Sequence, residues 1–106
     1  MRHSAAYEQE ASSLLVTHLA TLARLSYEKT CALPTMKSEK LCVAGRKSWL
    51  VVYRQDLSVR ETLVVVRVER QGLMGMFTRP IERGLVIARS GAVRQATEAE
   101  LVETLA

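Results

Sequence analysis

Combinations of side chains with the spacing of a catalytic or metal site are scarce in this chain. Its two histidines, His3 and His18, and its two cysteines, Cys31 and Cys42, lie apart, without the close spacing of zinc sites. The one aspartate, Asp56, follows a predicted strand, where a role in a turn accounts for it. The glycines have neither Walker nor dinucleotide-binding spacing. We therefore expect no catalytic residues, no metal and no cofactor, and an enzyme is the less favoured class.

Arginine is the most abundant charged residue of the chain. Eleven of its 15 basic residues are Arg, and the net charge is +4. Residues 37–94 hold twelve basic and five acidic side chains, whereas residues 1–36 are neutral overall and residues 95–106 carry only three Glu. The guanidinium fork suits carboxylates and phosphates. The middle of the chain is therefore expected to bind an acidic protein surface or, as the alternative, nucleic acid.

The elements that position these arginines begin with a long helix, predicted over residues 5–30 with a break near its end. Its apolar residues recur at steps of three or four, as in one face of a helix. They are Tyr7, Ala11, Leu14, Leu15, His18, Leu19, Leu22 and Leu25. Pro34 ends any helix that reaches so far.

Alternating and valine-rich runs predict strands over residues 41–44, 48–54, 62–70, 85–89 and 92–96. Short turns join most of them, so the sheet is expected to be an antiparallel meander. Thr97 and Glu100 have the spacing of a capping box and predict a short C-terminal helix. The predicted fold class is α+β, a single domain over residues 1–106. It has a long N-terminal helix packed on a 4–5-stranded antiparallel β-meander and a short C-terminal helix.

The strand alternation predicts two different faces of this sheet. One is wholly apolar and is expected beneath the first helix: Trp49, Val51, Val64, Val66, Val68 and Val86. The other has aliphatic residues bordered by arginine: Leu50, Val52, Leu63, Val65 and Ile87, with Arg54, Arg67, Arg89 and Arg94. Either this second face is open to a partner, or the C-terminal helix and the loop 73–83 cover it.

A methionine-rich segment is the second candidate surface. Met74, Met76 and Phe77 lie between turn signals, and Arg79 and Arg83 stand near its base. Methionine packs adaptably and is frequent at surfaces that accept partners. The segment is either a mobile binding loop or a short strand folded onto the core.

These features favour a small protein-binding module, a regulator, adaptor or inhibitor, over the alternatives of a nucleic-acid-binding protein or a metal-free ribonuclease. The partner is expected to have an acidic surface, and a homodimer is compatible with the long helix. No run approaches the roughly 20 apolar residues of a membrane helix, so we expect a cytoplasmic protein. We expect its source to be a bacterium or a phage. The predicted partner-binding residues are Leu50, Val52, Arg54, Leu63, Val65, Arg67, Met74, Met76, Phe77, Arg79, Arg83, Ile87, Arg89 and Arg94.

Overall fold

The computed structural model describes residues 5–70 and 80–105, and it has the predicted α+β architecture. Five antiparallel strands form one sheet in the order β1-β2-β3-β4-β5, so the meander is confirmed. The elements are α1 (Ala5–Ala23), α2 (Tyr27–Cys31), β1 (Met36–Val43), β2 (Arg46–Asp56), β3 (Glu61–Arg70), β4 (Ile81–Ala88), β5 (Val93–Gln95) and α3 (Glu98–Leu105).

The predicted long helix is interrupted, as expected, near its end. α1 stops at Ala23, and α2 starts after Ser26, whose side chain accepts a hydrogen bond from the backbone N–H of Lys29 at 3.2 Å. A serine in this position satisfies one of the unpaired N–H groups of a helix start. The break lets α1 lie along the sheet while α2 turns across one of its ends.

Two strands begin four or five residues before their predicted starts. β1 begins at Met36 instead of residue 41, and β4 begins at Ile81 instead of residue 85. Residues 36–40 are all exposed, so their side chains lack the apolar alternation that marks a half-buried strand. Backbone pairing with β2 defines this segment as a strand, so the prediction that the first strand begins at residue 41 is wrong.

The sheet face beneath α1 differs from the prediction in two of its strands. In β3, Val66 and Val68 pack under the helix as expected, in one cluster with Tyr7, Ala11 and Leu15. The β2 residues of this cluster are Leu50 and Val52, where Trp49 and Val51 were expected. Leu50 lies opposite Val68, and Val52 opposite Val66, so these pairs share a face.

In β4 the prediction also fails, because Val86 lies opposite Leu63 on the face away from α1. There Leu63, Val65 and Val86 form a second buried cluster. The residues packed against this cluster are Tyr53, Leu57, Ala96 and Leu101. Of the two predicted alternatives for the second face, the C-terminal helix therefore supplies part of a cover through Leu101.

Candidate functional site

The predicted partner surface does not form as one face. The register places Leu50, Val52, Arg54, Arg83 and Ile87 on the side of α1. It places Leu63, Val65, Arg67 and Arg94 on the opposite side. Arg89 lies just beyond the end of β4, and Met74, Met76, Phe77 and Arg79 lie outside the described residues. Since Leu50, Leu63, Val65 and Ile87 are at most 3% exposed, they belong to the core.

Arg54, Arg67 and Arg94, three of the four predicted border arginines, bind carboxylates of their own chain. The guanidinium of Arg94 lies 2.8 Å from Glu100 and 3.8 Å from Glu61. That of Arg54 lies 3.0 Å from Asp56 and also donates to the carbonyl of Leu33 at 2.8 Å. Arg94 therefore links β5 to β3 and α3, and Arg54 links β2 to the segment between α2 and β1.

Arg67 is the most buried of these arginines, with 8% of its surface exposed. Its Nη1 lies 2.8 Å from Glu69, its Nε lies 3.2 Å from Glu82, and the ring of Tyr53 lies 5.1 Å away. Its Nη2 is buried and has no hydrogen-bond partner. Burial acts to lower the pKa of Arg67, but the hydrogen bond to Glu69 and the nearby negative charge of Glu82 outweigh it, and the pKa lies above its ordinary value. Arg67 is therefore a charged residue that stabilises the sheet on the face away from α1.

An open stretch of strand lies where β5 ends. β5 pairs only with Leu85, Val86 and Ile87, and the last contact is a hydrogen bond of 2.9 Å from the N–H of Ala96 to the carbonyl of Gly84. Alternate residues of a strand direct their backbone groups to the same edge. The N–H and C=O of Glu82 therefore point to this edge, and no described strand pairs with them.

A cleft of about 340 Å³ adjoins this open edge. α1 lines it with Val16, Leu19, Ala20 and Ala23, and the remaining apolar residues are Leu85, Ala96 and Leu101. Val16 is 55% exposed, although it lies in the middle of a packed helix. We name this site the edge cleft, defined by these residues together with Glu82, Arg83, Gly84 and Gln95.

Arg83 is the basic residue of the edge cleft. Its side chain is exposed, and none of the ion pairs found among the described residues includes it. Glu82, the neighbouring acid, is paired with Arg67 on the opposite face of the sheet. Arg83 is thus a predicted partner-binding residue that the structure places in the edge cleft with its charge available.

The wall formed by α3 is held in place by the predicted capping box. Glu100 accepts from the backbone N–H of Thr97 at 2.9 Å, and the N–H of Glu100 donates to the Thr97 hydroxyl at 3.2 Å. Leu101 then packs over Gly84, where an added Cβ would lie 3.0 Å from the Leu101 Cδ2 atom. The absence of a side chain at residue 84 therefore allows α3 to approach the sheet.

The hold on α3 should weaken in acid. The hydrogen bond from Arg94, then that from the Thr97 backbone, lowers the pKa of Glu100 from 4.5 to about 2. A lowered folded-state pKa gives stability that is complete above 4.5 and is lost as the pH falls toward 2. We expect wild type to exceed Glu100→Gln in free energy of unfolding at pH 7, and this difference to shrink steadily on acidification. Urea titrations at successive pH values measure it, and an unchanged difference near pH 2.5 would contradict the assigned pairing.

Val16, Ala20 and Ala23 are not among the predicted site residues, because they lie outside the apolar stripe predicted for the first helix. A signal was present: the chain has no charged residue between Glu10 and Arg24. An exposed helix face without charge is unusual on a surface that meets only water. The helix periodicity and this charge gap together would have indicated the site.

No protein-family model, curated protein sequence or solved structure matches this chain. Within the described residues, no helix is both long and apolar enough to cross a membrane.

Proposed function

We propose that this protein is a small protein-binding module, acting as a regulator, adaptor or inhibitor, and that the edge cleft binds an extended segment of its partner. The observation that carries this proposal is the early end of β5 beside an apolar cleft. Residues 81–83 of β4 lack a described neighbour on that edge, and the cleft beside them is lined by α1 and Leu101.

Backbone pairing would supply part of the binding energy. A peptide that continues the line of β5 could exchange hydrogen bonds with the N–H and C=O groups of Glu82. Addition of a strand to an open sheet edge is a recurrent mode of peptide recognition, in which alternate side chains provide specificity. Because β5 has only three residues, the added strand would take a position that residues 5–70 and 80–105 leave open.

Side chains of the bound segment would supply the selectivity. The partner residue opposite Arg83 lies on the α1 side of the sheet, where a carboxylate could pair with the guanidinium across the strands. The neighbouring residues on that side would place apolar side chains against Val16 and Ala20. The partner segment is therefore extended, apolar and acidic, which agrees with the acidic partner expected from the sequence.

A nucleic-acid partner has less support. Arg54, Arg67 and Arg94 each contact a carboxylate of the same chain, so less of their charge is free to neutralise phosphates. Trp49 and Tyr53, the aromatic side chains of β2, are covered by Lys40 and Arg67 at 5.2 and 5.1 Å. Stacking of bases on these rings would have to displace both cations.

Selection from a displayed peptide library against the purified protein tests the proposal. We expect the selected peptides to combine apolar residues at alternate positions with one Asp or Glu. Val16→Glu and Arg83→Glu should each weaken their binding about tenfold or more, equivalent to about 1.4 kcal/mol. Calorimetry or fluorescence anisotropy with a synthetic peptide measures this loss.

Val59→Glu is the matched control, because Val59 is 84% exposed and does not line the edge cleft. It should leave the affinity unchanged. Replacing the acidic residue of the peptide with Lys should restore binding to Arg83→Glu but not to wild type. Peptides that bind all three variants equally, or a selection that yields only basic peptides, would refute the proposed site.

A further inference from the structure

The geometry of the opposite sheet edge points to a second partner: we infer that two copies of this chain pair through their β1 strands, around a two-fold axis at Ser38. This inference is independent of the edge cleft, because β1 and β5 are the two ends of the strand order. The paired sheets would form one continuous antiparallel sheet with both edge clefts at its far ends.

β1 offers a long edge for such pairing. It has eight residues, and its described pairing is with β2 alone. The carbonyl of Thr35 accepts a hydrogen bond from the N–H of Arg54 in β2 at 3.0 Å. Since alternate residues direct their backbone groups to the same edge, those of the odd-numbered β1 residues also point toward β2. Those of Met36, Ser38, Lys40 and Cys42 consequently point outward, where a second strand could bind them.

Symmetry restricts the register of this pairing. A two-fold axis perpendicular to the sheet keeps each face on its own side, so opposed residues must be both even or both odd. The axis can therefore pass through Ser38, Glu39 or Lys40 in the centre of the strand. An axis at Glu39 would oppose two glutamates, and an axis at Lys40 would oppose two lysines, which is destabilising.

The axis at Ser38 instead places Lys37 opposite Glu39 of the second copy, twice. Both side chains are exposed and lie on the α1 face, opposite Val52 and Leu50 of β2. In this register Lys37 of one copy and Glu39 of the other form non-hydrogen-bonded pairs. Side chains in such pairs lie closer together than side chains in hydrogen-bonded pairs. Met36 would exchange backbone hydrogen bonds with Lys40 of the second copy, and Ser38 with its own equivalent. The order of charges along β1 therefore complements itself in one central register.

An apolar groove beside β1 adds surface to this interface. His18, Leu22, Leu33 and Pro34 line a groove of about 180 Å³, and Lys37 and Glu39 lie at its β1 side. The two-fold axis brings the grooves of both copies next to each other on the same face. Removal of water there would strengthen the two Lys37–Glu39 pairs that border them.

Charge reversal tests the pairing within one chain. Wild type should form a dimer by sedimentation equilibrium, and Lys37→Glu and Glu39→Lys should each weaken dimerisation about tenfold, since both pairs become repulsive. The double variant Lys37→Glu/Glu39→Lys should recover the wild-type affinity. Both side chains are exposed, and circular dichroism should show an unchanged fold. A monomeric wild type would mean that the charges on β1 prevent edge-to-edge pairing, and it would overturn the inference. A double variant that does not recover dimerisation would also overturn it.

A cysteine scan fixes the axis. Cys31 and Cys42 are free thiols, so the scan starts from the Cys31→Ser/Cys42→Ser variant. Ser38→Cys in that background should form a disulfide-linked dimer, because residues paired by hydrogen bonds have Cα atoms about 5.5 Å apart, within disulfide range. Lys40→Cys is the control and should remain monomeric on a denaturing gel, since its Cα atoms would be about 14 Å apart. Cross-linking at residue 40 but not at residue 38 would overturn the Ser38 axis.

Discussion

Replacing Arg67 with Met should lower the free energy of unfolding by about 1.5–3 kcal/mol, the range for hydrogen bonds to charged groups. Arg67 is 8% exposed and contacts two carboxylates, Glu69 and Glu82, whose side chains are 39% and 19% exposed. Without the guanidinium, the two acids would face each other across β3 and β4 with no cation between them. The loss of charge compensation, more than the loss of packing, sets the size of this effect.

Denaturation in urea measures the loss, and a triple variant isolates its cause. Arg67→Met/Glu69→Gln/Glu82→Gln removes the unpaired charges together with the arginine, so it should recover most of the stability. Arg94→Met is the surface counterpart, because Arg94 is 48% exposed and its ion pairs are screened. It should cost much less than Arg67→Met, because water and salt screen exposed ion pairs. A triple variant no more stable than Arg67→Met would show that packing against Tyr53 gives the effect instead.

The α+β class could be predicted because each element carries its own local signal. The stripe from Tyr7 to Leu22 marks a helix, the valine runs mark strands, and Thr97 with Glu100 marks the start of α3. Each signal depends on neighbours within a few residues, and these are fixed by the sequence. The order of strands then follows from the short connections between them.

The side chains that share a face of the sheet are determined by the pairing register between strands. The residue pattern within one strand does not contain this register. Whether even-numbered residues of one strand oppose even-numbered residues of the next depends on whether the loop between them has an odd or an even length. Five residues separate the paired Asp56 and Thr62, so Val52 meets Val66 on one face. If the loop is taken to be one residue longer or shorter, Trp49 lies on the face of Val66 instead, which is the arrangement predicted from the sequence. Both sides of β2 are apolar, so composition could not correct the error.

The candidate sites escaped prediction for a related reason. Residues 36–40 and Arg83 are exposed and Glu82 is paired with Arg67, so no apolar alternation reveals these strand edges. Their importance arises because, among the described residues, no further strand lies beside them. The early end of β5 and the outward backbone of β1 are properties of the assembled sheet, and a single segment does not record them.

Leu15→Ala should lower the free energy of unfolding by about 3–5 kcal/mol, since Leu15 is fully buried in the cluster between α1 and the sheet. Its neighbour Val16 is 55% exposed, and Val16→Ala should change stability by about 0.5 kcal/mol or less. Thermal or urea denaturation of the two variants distinguishes the two sides of α1. Equal losses would mean that α1 is covered on both sides.

Double variants extend this comparison to the sheet beneath. Leu15 and Leu50 belong to one cluster, so their losses on replacement with Ala should be non-additive by roughly 0.5 kcal/mol or more. Val65 lies in the cluster on the opposite face, and its loss should add to that of Leu15 within about 0.5 kcal/mol. If Leu15 couples to Val65 and not to Leu50, β2 and β3 present the other face to the helix. The edge cleft would then lose its basis, because it depends on which side chains share the face of α1.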